Sequence, residues 1–264
     1  MTDISIIIPV YNRPQELDEL LQTLVEQTAG GFEVIVVDDG SEQSAAEIAS
    51  KYTENLDIRY YFKQNSGPGL TRNFGCEKAR SDFFVFLDSD CLLPQEYIAS
   101  LRKNLPIIDA FGGPDRSHRS FTPIQGAISY AMTSPLTTGG IRGGKKSLEK
   151  FHPRSFNMGI SRKVFLATGG FSALRFGEDI DFSIRIMSQG FSCRLLPDCY
   201  VYHKRRTDFW KFFKQVYNSG IARINLFKRH PGSLKIVHFF PAVFVVYQAL
   251  SLPHALYHRE FWAL

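Results

Sequence analysis

The chain has 264 residues, 44% hydrophobic and 22% charged, with 23 Phe and 11 Tyr, so a disordered chain is excluded and a full core can form. At roughly 100–200 residues per domain, this length gives one large domain or one domain with an appendage. The net charge of +5 is uneven: residues 204–264 hold 10 Lys/Arg against 2 Asp/Glu, a net of +8, which leaves the rest at −3. An acidic body with a basic tail points to an anionic surface as partner. Apolar residues interleave with the tail's charges, which favours phospholipid headgroups over nucleic acid. The four cysteines, Cys76, Cys91, Cys193 and Cys199, form no CxxC pair and are too few for a disulfide framework, as expected in a reducing compartment. The first residues carry no basic run and no long apolar stretch. The expected location is therefore cytoplasmic, at the cytoplasmic face of the membrane.

The first half alternates strands and helices. Ile4–Val10 is an apolar, β-branched run of strand length. Residues 14–27 place Leu17, Leu20, Leu21 and Leu24 on one helical face. Residues 32–37 (FEVIVV) form a second strand, 44–52 a short helix, 58–62 a third strand and 68–79 a helix. Phe83–Leu87 (FFVFL) forms a fourth strand. Continuous apolar strands separated by helices predict a mostly parallel sheet covered on both faces, with ligands at the strands' carboxyl ends. Residues 112–150 are rich in Gly, Pro, Ser and Thr and read as a long functional loop. A strand near 156–160, a helix over Arg162–Thr168, a helix opening at Glu178 and short strands over 192–196 and 199–202 follow. In 207–228, Phe209, Phe213, Val216, Gly220, Ile224 and Phe227 recur at helical spacing, with Lys211 and Lys214 beside the stripe. The apolar segment 236–252 is about 17 residues, short of the roughly 20 that a spanning helix needs.

Acidic residues recur where strands end. Pro9-Val10-Tyr11-Asn12-Arg13 leaves the first strand with an aromatic face and a guanidinium, which a strand–turn–helix junction also shows without any function. Asp38 and Asp39 close the second strand, and adjacent buried carboxylates demand partners. Either could accept from a nucleobase N–H or cap the next helix, although Ser41 or Ser44 suffices for a cap. Asp88-Ser89-Asp90 follows the fourth strand. In an extended segment carboxylates at i and i+2 point the same way and can share one hard cation, Mn2+ or Mg2+. Gly177-Glu178-Asp179-Ile180-Asp181 opens a helix with candidate general bases, and Asp181 at i−4 from Arg185 reads as that arginine's structural partner. His203 closes the last short strand. Residues 65–73 (NSGPGLTRN) make a turn into a helix whose start favours anions, with Arg72 in reach of a phosphate or base. They match neither GxxxxGK[ST] nor GxGxxG.

PVYNR, VDDGS, NSGPGLTRNFG, FLDSD and GED in that order, with His203 downstream, resemble the family 2 glycosyltransferases over residues 4–203. The resemblance implies the GT-A fold, an α/β nucleotide-diphospho-sugar transferase architecture, and direct displacement with inversion. Residues 1–203 are then the catalytic domain, split into a nucleotide-binding half (1–111) and an acceptor half (112–203), and 204–264 a basic amphipathic helical tail. It implies that Asp39 reads the nucleobase, with Pro9, Tyr11 and Arg13 lining the nucleotide pocket, Asp38 beside the ribose or structural, and Arg72 near the diphosphate. Asp88, Ser89 and Asp90 form the DXD motif. Asp88 and Asp90 are the metal motif for Mn2+ or Mg2+, the second acid binding the cation and Asp88 lying nearer the ribose with Ser89 on the nucleotide-sugar side, and His203 is a third metal contact. Asp179 is the general base, with Glu178 beside it. The implied donor is a nucleotide-diphosphate sugar, UDP-linked first and GDP- or dTDP-linked next. The implied acceptor is a lipid-linked or cell-surface glycan of polysaccharide biosynthesis.

The QxxRW motif of processive synthases is absent, residues 214–219 being KQVYNS, so a non-processive enzyme is expected. A sugar-nucleotide nucleotidyltransferase would carry a Gly-rich basic loop where PVYNR stands. A non-catalytic sugar-nucleotide-binding protein would lack Asp179, Asp90 or His203. No nucleic-acid recognition motif accompanies the basic tail.

Overall fold

The computed structural model describes residues 3–119, 121–133, 151–204 and 208–257. The main sheet contains β1 (Ile4–Val10), β2 (Phe32–Asp38), β3 (Asp57–Phe62), β4 (Phe83–Leu87), β6 (Ala110–Gly112), β8 (Asn157–Ser161) and β9 (Cys193–Leu195), in the order β3-β2-β1-β4-β8-β6-β9. The first four pair in parallel, and β8 runs antiparallel to both neighbours. The sheet is thus mostly parallel, as the apolar runs predict. Alternate side chains feed opposite faces. Ile4, Ile6 and Ile8 pack with Leu17, Leu20, Leu21 and Leu24 of α1 (Pro14–Val25). Ile7, Ile35, Phe84 and Phe86 pack with Phe182 and Ile186 on the other face.

Strand order reverses direction at β1, which has β2 on one side and β4 on the other. Open α/β sheets bind ligands at the carboxyl ends beside such a switch point. A second sheet, β5 (Cys91–Leu92), β10 (Val201–His203) and β7 (Asp115–Arg116), sits after β4 and pairs His203 directly opposite Cys91. On β8, Asn157 ties this layer down: its Nδ2 donates to Cys199 O at 2.8 Å and its Oδ1 accepts from Tyr97 Oη at 2.6 Å.

The helices are α2 (Ala46–Ser50), α3 (Pro68–Lys78), α4 (Tyr97–Arg102), α5 (Pro123–Thr133), α6 (Arg162–Thr168), α7 (Glu178–Ser188), α8 (Phe209–Arg229) and α9 (Phe240–Tyr257). The long loop expected over 112–150 is corrected in its first part. Residues 115–116 pair as a strand and 123–133 are helical, with Gln125 Oε1 accepting from Thr122 N at 3.0 Å at the helix start. The remainder of that loop, 134–150, lies outside the described residues.

The chain forms two compact units, 1–219 and 220–264, with the boundary inside α8. The apolar stripe read from the sequence along α8 is turned outward: Phe209, Phe213, Val216, Ile224 and Phe227 are 43–67% exposed. The buried positions, Ala222 and Leu226, lie on the opposite side of the helix. In the second unit, α9 exposes Phe240, Val243, Phe244, Val245, Val246, Tyr247 and Leu250, an apolar surface all round. Among the described residues no helix is long and apolar enough to cross a membrane.

Candidate functional site

Three loops leave the carboxyl edge of β1, β2 and β4, and they are bound to one another. Asn12, the one non-glycine residue at positive φ (52°) among the described residues, receives Glu42 N on its Oδ1 at 2.8 Å and gives its N–H to Ser41 Oγ at 2.9 Å. Pro9 stays in the β1 ladder opposite Val37, and Tyr11 stands half-exposed at the rim.

Asp38 is fully buried, and its carboxylate accepts from Ser41 N (2.9 Å), Ala45 N (3.2 Å) and Tyr60 Oη (2.8 Å). It therefore shapes the turn into α2, the capping role that the sequence reading set beside base recognition for these acids and for which it held that Ser41 or Ser44 would suffice. Asp39 accepts from Ser66 N and Gly67 N, each at 2.9 Å, and from Lys63 Nζ at 2.5 Å. Three of roughly four acceptor sites on this carboxylate are thus taken by the chain itself. The anion expected at the start of α3 is Asp39, and this bracing is a role that the nucleobase assignment had not included. Lys63 was missed because only the fold brings it to Asp39.

Gly67, at φ 89°, turns the chain into α3, and Gly69 lets that helix press on the site. A Cβ at Gly69 would lie 2.8 Å from Ser172 O and 3.3 Å from Glu178 Cγ. From the next turn, Arg72 enters the interior. Its Nη2 donates to Asp88 Oδ1 at 2.5 Å and its Nη1 to Glu178 Oε1 at 3.2 Å, with the guanidinium over the Phe171 ring. Burial works against the charge on Arg72, but Asp88 and Glu178 hold its pKa above the ordinary arginine value. Asn73 clamps the Phe171 backbone from both sides, N–H and C=O each at 2.8 Å.

The sequence reading put Asp88 and Asp90 in an extended segment facing one cation. Cys91 N instead donates to Asp88 O at 3.1 Å, so residues 88–91 form a turn with Ser89 buried within it. The turn aims the two carboxylates apart. Asp88 goes to Arg72, a buried cation that requires a counter-charge, and does not join the metal-donor group. Asp90 goes to Arg13, which holds its Oδ2, and to His203.

The pairing of β10 with β5 delivers His203. Its ring stacks on Phe156 at 4.7 Å, and Lys204 N donates to Asp90 O at 2.9 Å. His203 Nε2 lies 3.1 Å from Asp90 Oδ1 but is not aligned as a hydrogen bond, so this buried oxygen has no donor. Burial pushes the Asp90 carboxyl up, yet His203 and Arg13 outweigh it and hold the pKa well below the carboxylate range. An ionised, donor-free oxygen beside an imidazole nitrogen suits a divalent cation. Asp90, Cys91 and His203 are the one group of three such donors within 4.8 Å among the described residues. Burial, with the charges of Asp90 and Asp88, pushes the Cys91 thiol well above its ordinary pKa, and that thiol donates to Phe156 O at 3.4 Å.

Glu178 and Asp179 occupy the first turn of α7, where the helix dipole favours carboxylates. Asp179 Oδ2 lies 3.5 Å from Arg154 Nη1, and Ser183 Oγ reaches both Pro153 O (2.9 Å) and Asp179 O (2.8 Å). Ser183 thus fastens the segment that carries Arg154 to the helix that carries Asp179. Neither was foreseen, since both roles depend on a distant partner. Burial and the charge of Asp179 push Glu178 up to about 7, against the pull of Arg72. Asp181 takes Arg185 Nε at 3.0 Å, as its spacing predicts.

A model of "Glycosyl transferase family 2" matches residues 5–167. An uncharacterized glycosyltransferase of Haemophilus influenzae is 30% identical over 190 residues, 70% of this chain and 62% of that protein. The chondroitin synthase of Pasteurella multocida is 44% identical over 96 residues, 35% of this chain and 10% of that protein. The chain spans less than two thirds of the curated relatives it matches, 16% of a Rickettsia felis glycosyltransferase. Among solved structures, S. aureus TarS 1–349 in complex with UDP-GlcNAc has TM-score 0.61 at 22% identity, covering 84% of this chain and 67% of that one. The mannosyltransferase PcManGT of Pyrobaculum calidifontis, in complex with GDP-Man and Mn2+, has TM-score 0.65 at 18% identity, covering 90% and 67%. With the family model spanning more than half its length and the sheet matching these folds, the chain belongs to glycosyltransferase family 2 and adopts the GT-A architecture.

Proposed function

We propose that the chain is an inverting, metal-dependent glycosyltransferase that moves one sugar from a nucleotide-diphosphate sugar to an acceptor hydroxyl, without processive elongation. The observation that carries this reading is Arg72, a single buried guanidinium that joins Asp88, at the switch point, to Glu178, at the head of the helix bearing Asp179. Donor-side and base-side groups are thereby held in one frame, and positioning supplies much of the rate in such displacements.

In this reading Tyr11 offers its exposed ring to the base, with Pro9 behind it and Asp39 using its remaining lone pair. Asp90 and His203 hold Mn2+ or Mg2+, which when bound neutralises charge on the departing diphosphate. Arg13 holds the other oxygen of Asp90 and fixes that carboxylate for the cation. Asp179 takes the proton of the acceptor hydroxyl as that oxygen attacks the anomeric carbon from the face opposite the leaving group. Arg154 orients Asp179, and burial together with the Asp179 charge raises the Glu178 pKa, which favours keeping a second full negative charge away from the base. UDP is the first candidate donor base, in line with the UDP-GlcNAc bound by TarS, and GDP, which PcManGT carries as GDP-Man, the next. dTDP remains a third candidate.

The acceptor is a lipid-linked or cell-surface glycan, reached at the cytoplasmic membrane face. Supporting this, α8 turns its aromatic stripe outward on a segment of net +8, a feature of a helix lying at a lipid surface. Thermal shift with UDP, GDP and dTDP, each with and without Mn2+, tests the donor site. One nucleotide should stabilise the protein in a metal-dependent way, and loss of that shift in Asp90→Ala is required. A shift equal in the variant overturns the metal assignment. Sedimentation with anionic but not neutral vesicles tests the tail.

A further inference from the structure

We propose that Asp90, Cys91 and His203 form a Zn2+ site in which the Cys91 sulfur, unused by Mn2+ or Mg2+, is a ligand. This rests on the reading of Asp90 and His203 as the metal-holding pair and extends it to the choice of metal. Cys91 and His203 stand directly opposite each other in the antiparallel β5–β10 pair, and residues so opposed carry their side chains on the same face. Asp90 precedes Cys91 in the turn and brings the donor-free Oδ1 to the same point. The three donor atoms lie within 4.8 Å of one another.

The donor chemistry decides between cations. One carboxylate oxygen, one sulfur and one imidazole nitrogen make the mixed set that Zn2+ accepts in tetrahedral sites with a fourth position open. Mg2+ and Mn2+ favour oxygen and leave the sulfur unligated. On Zn2+ binding the Zn–S bond forms, the S–H bond breaks, its proton passes to solvent, and the hydrogen bond to Phe156 O is released. Carboxylate and thiolate then balance the cation's charge while Arg13 stays on the other oxygen of Asp90. Three protein ligands leave Zn2+ a single open position, where a six-coordinate cation keeps several for a diphosphate. Zn2+ therefore competes with the working metal rather than replacing it.

The test uses the full chain loaded with Co2+, a spectroscopic substitute for Zn2+. The expected result is a thiolate-to-cobalt charge-transfer band in the wild type that Zn2+ abolishes and that is absent from both Cys91→Ser and Cys91→Ala. Zn2+ affinity, from competition with a chromophoric chelator, should fall at least roughly tenfold in either variant, while Mn2+ affinity, from electron paramagnetic resonance, holds. Co2+ binding in the wild type without a sulfur band overturns the inference without recourse to any variant and leaves the Asp90–His203 reading intact. Failure of Co2+, Zn2+ and Mn2+ alike to bind overturns both.

Discussion

The sheet carries buried acids at both ends, and the two ends treat them differently. At the amino edge Glu33, 0% exposed, accepts from Ser5 Oγ (2.5 Å), Arg59 Nη2 (2.5 Å), Arg80 N (2.7 Å) and Arg80 Nε (2.8 Å). Burial pushes its pKa up, but these four donors together hold it below the ordinary glutamate value. At the carboxyl edge Asp90 keeps one oxygen without a donor, and Glu178 sits near neutrality. A buried charge whose acceptor sites are all filled locks a fold together. One left open is available to a ligand or a proton.

The largest effect should come from the open end. Asp179→Asn should lower transfer by roughly a thousandfold, in the range of lost general-base catalysis, while nucleotide affinity by calorimetry stays within error. Normal turnover in this variant would remove Asp179 from the chemistry. Glu33→Gln should act in the opposite sense. Stability measured by urea unfolding should drop by about 3 kcal/mol, as when a buried ion pair loses a partner, with nucleotide affinity unchanged.

Asp90→Asn should cost less stability than Glu33→Gln yet weaken Mn2+ binding by roughly 10–100-fold. If its stability loss were the greater, the contrast between the two edges would fail. The smallest effect is a pH slope. Glu178 titrates at about 7 in the folded chain against an ordinary 4.5, so between these values the folded protein binds a proton that the unfolded chain does not. Its contribution to stability therefore falls as pH rises from about 4.5 to 7, by roughly 1–3 kcal/mol, and Glu178→Gln should flatten that fall.

The parts of this fold legible in the sequence are those with a long enough pattern. Ile4–Val10 and Phe83–Leu87 carry continuous apolar runs, and Arg162–Thr168 and the start at Glu178 carry helix signals, so all four were placed to the residue. The two-residue strands Cys91–Leu92 and Asp115–Arg116 have no period to read. The sequence marks the acids of the site through their position after strands. It does not mark their partners, because Lys63, Arg154 and Phe156 acquire meaning only when remote segments meet. The DSD turn was misread for a related reason. An i, i+2 rule presumes that the strand continues past Leu87, and one backbone bond from Cys91 to Asp88 ends it.

The exposed run in α9 also bears on how the chain behaves outside the folded state. Residues 242–250 (AVFVVYQAL) contain no charge and no proline, and the β-branched and aromatic residues within them favour extended pairing once the helix unwinds. Pro241 and Pro253 are the breakers that flank this segment, with the nearest basic residue, Lys235, beyond the first of them. A chain waiting in water with this helix uncovered is therefore prone to cross-strand aggregation. Its yield should depend on how soon an apolar surface takes up that segment during synthesis.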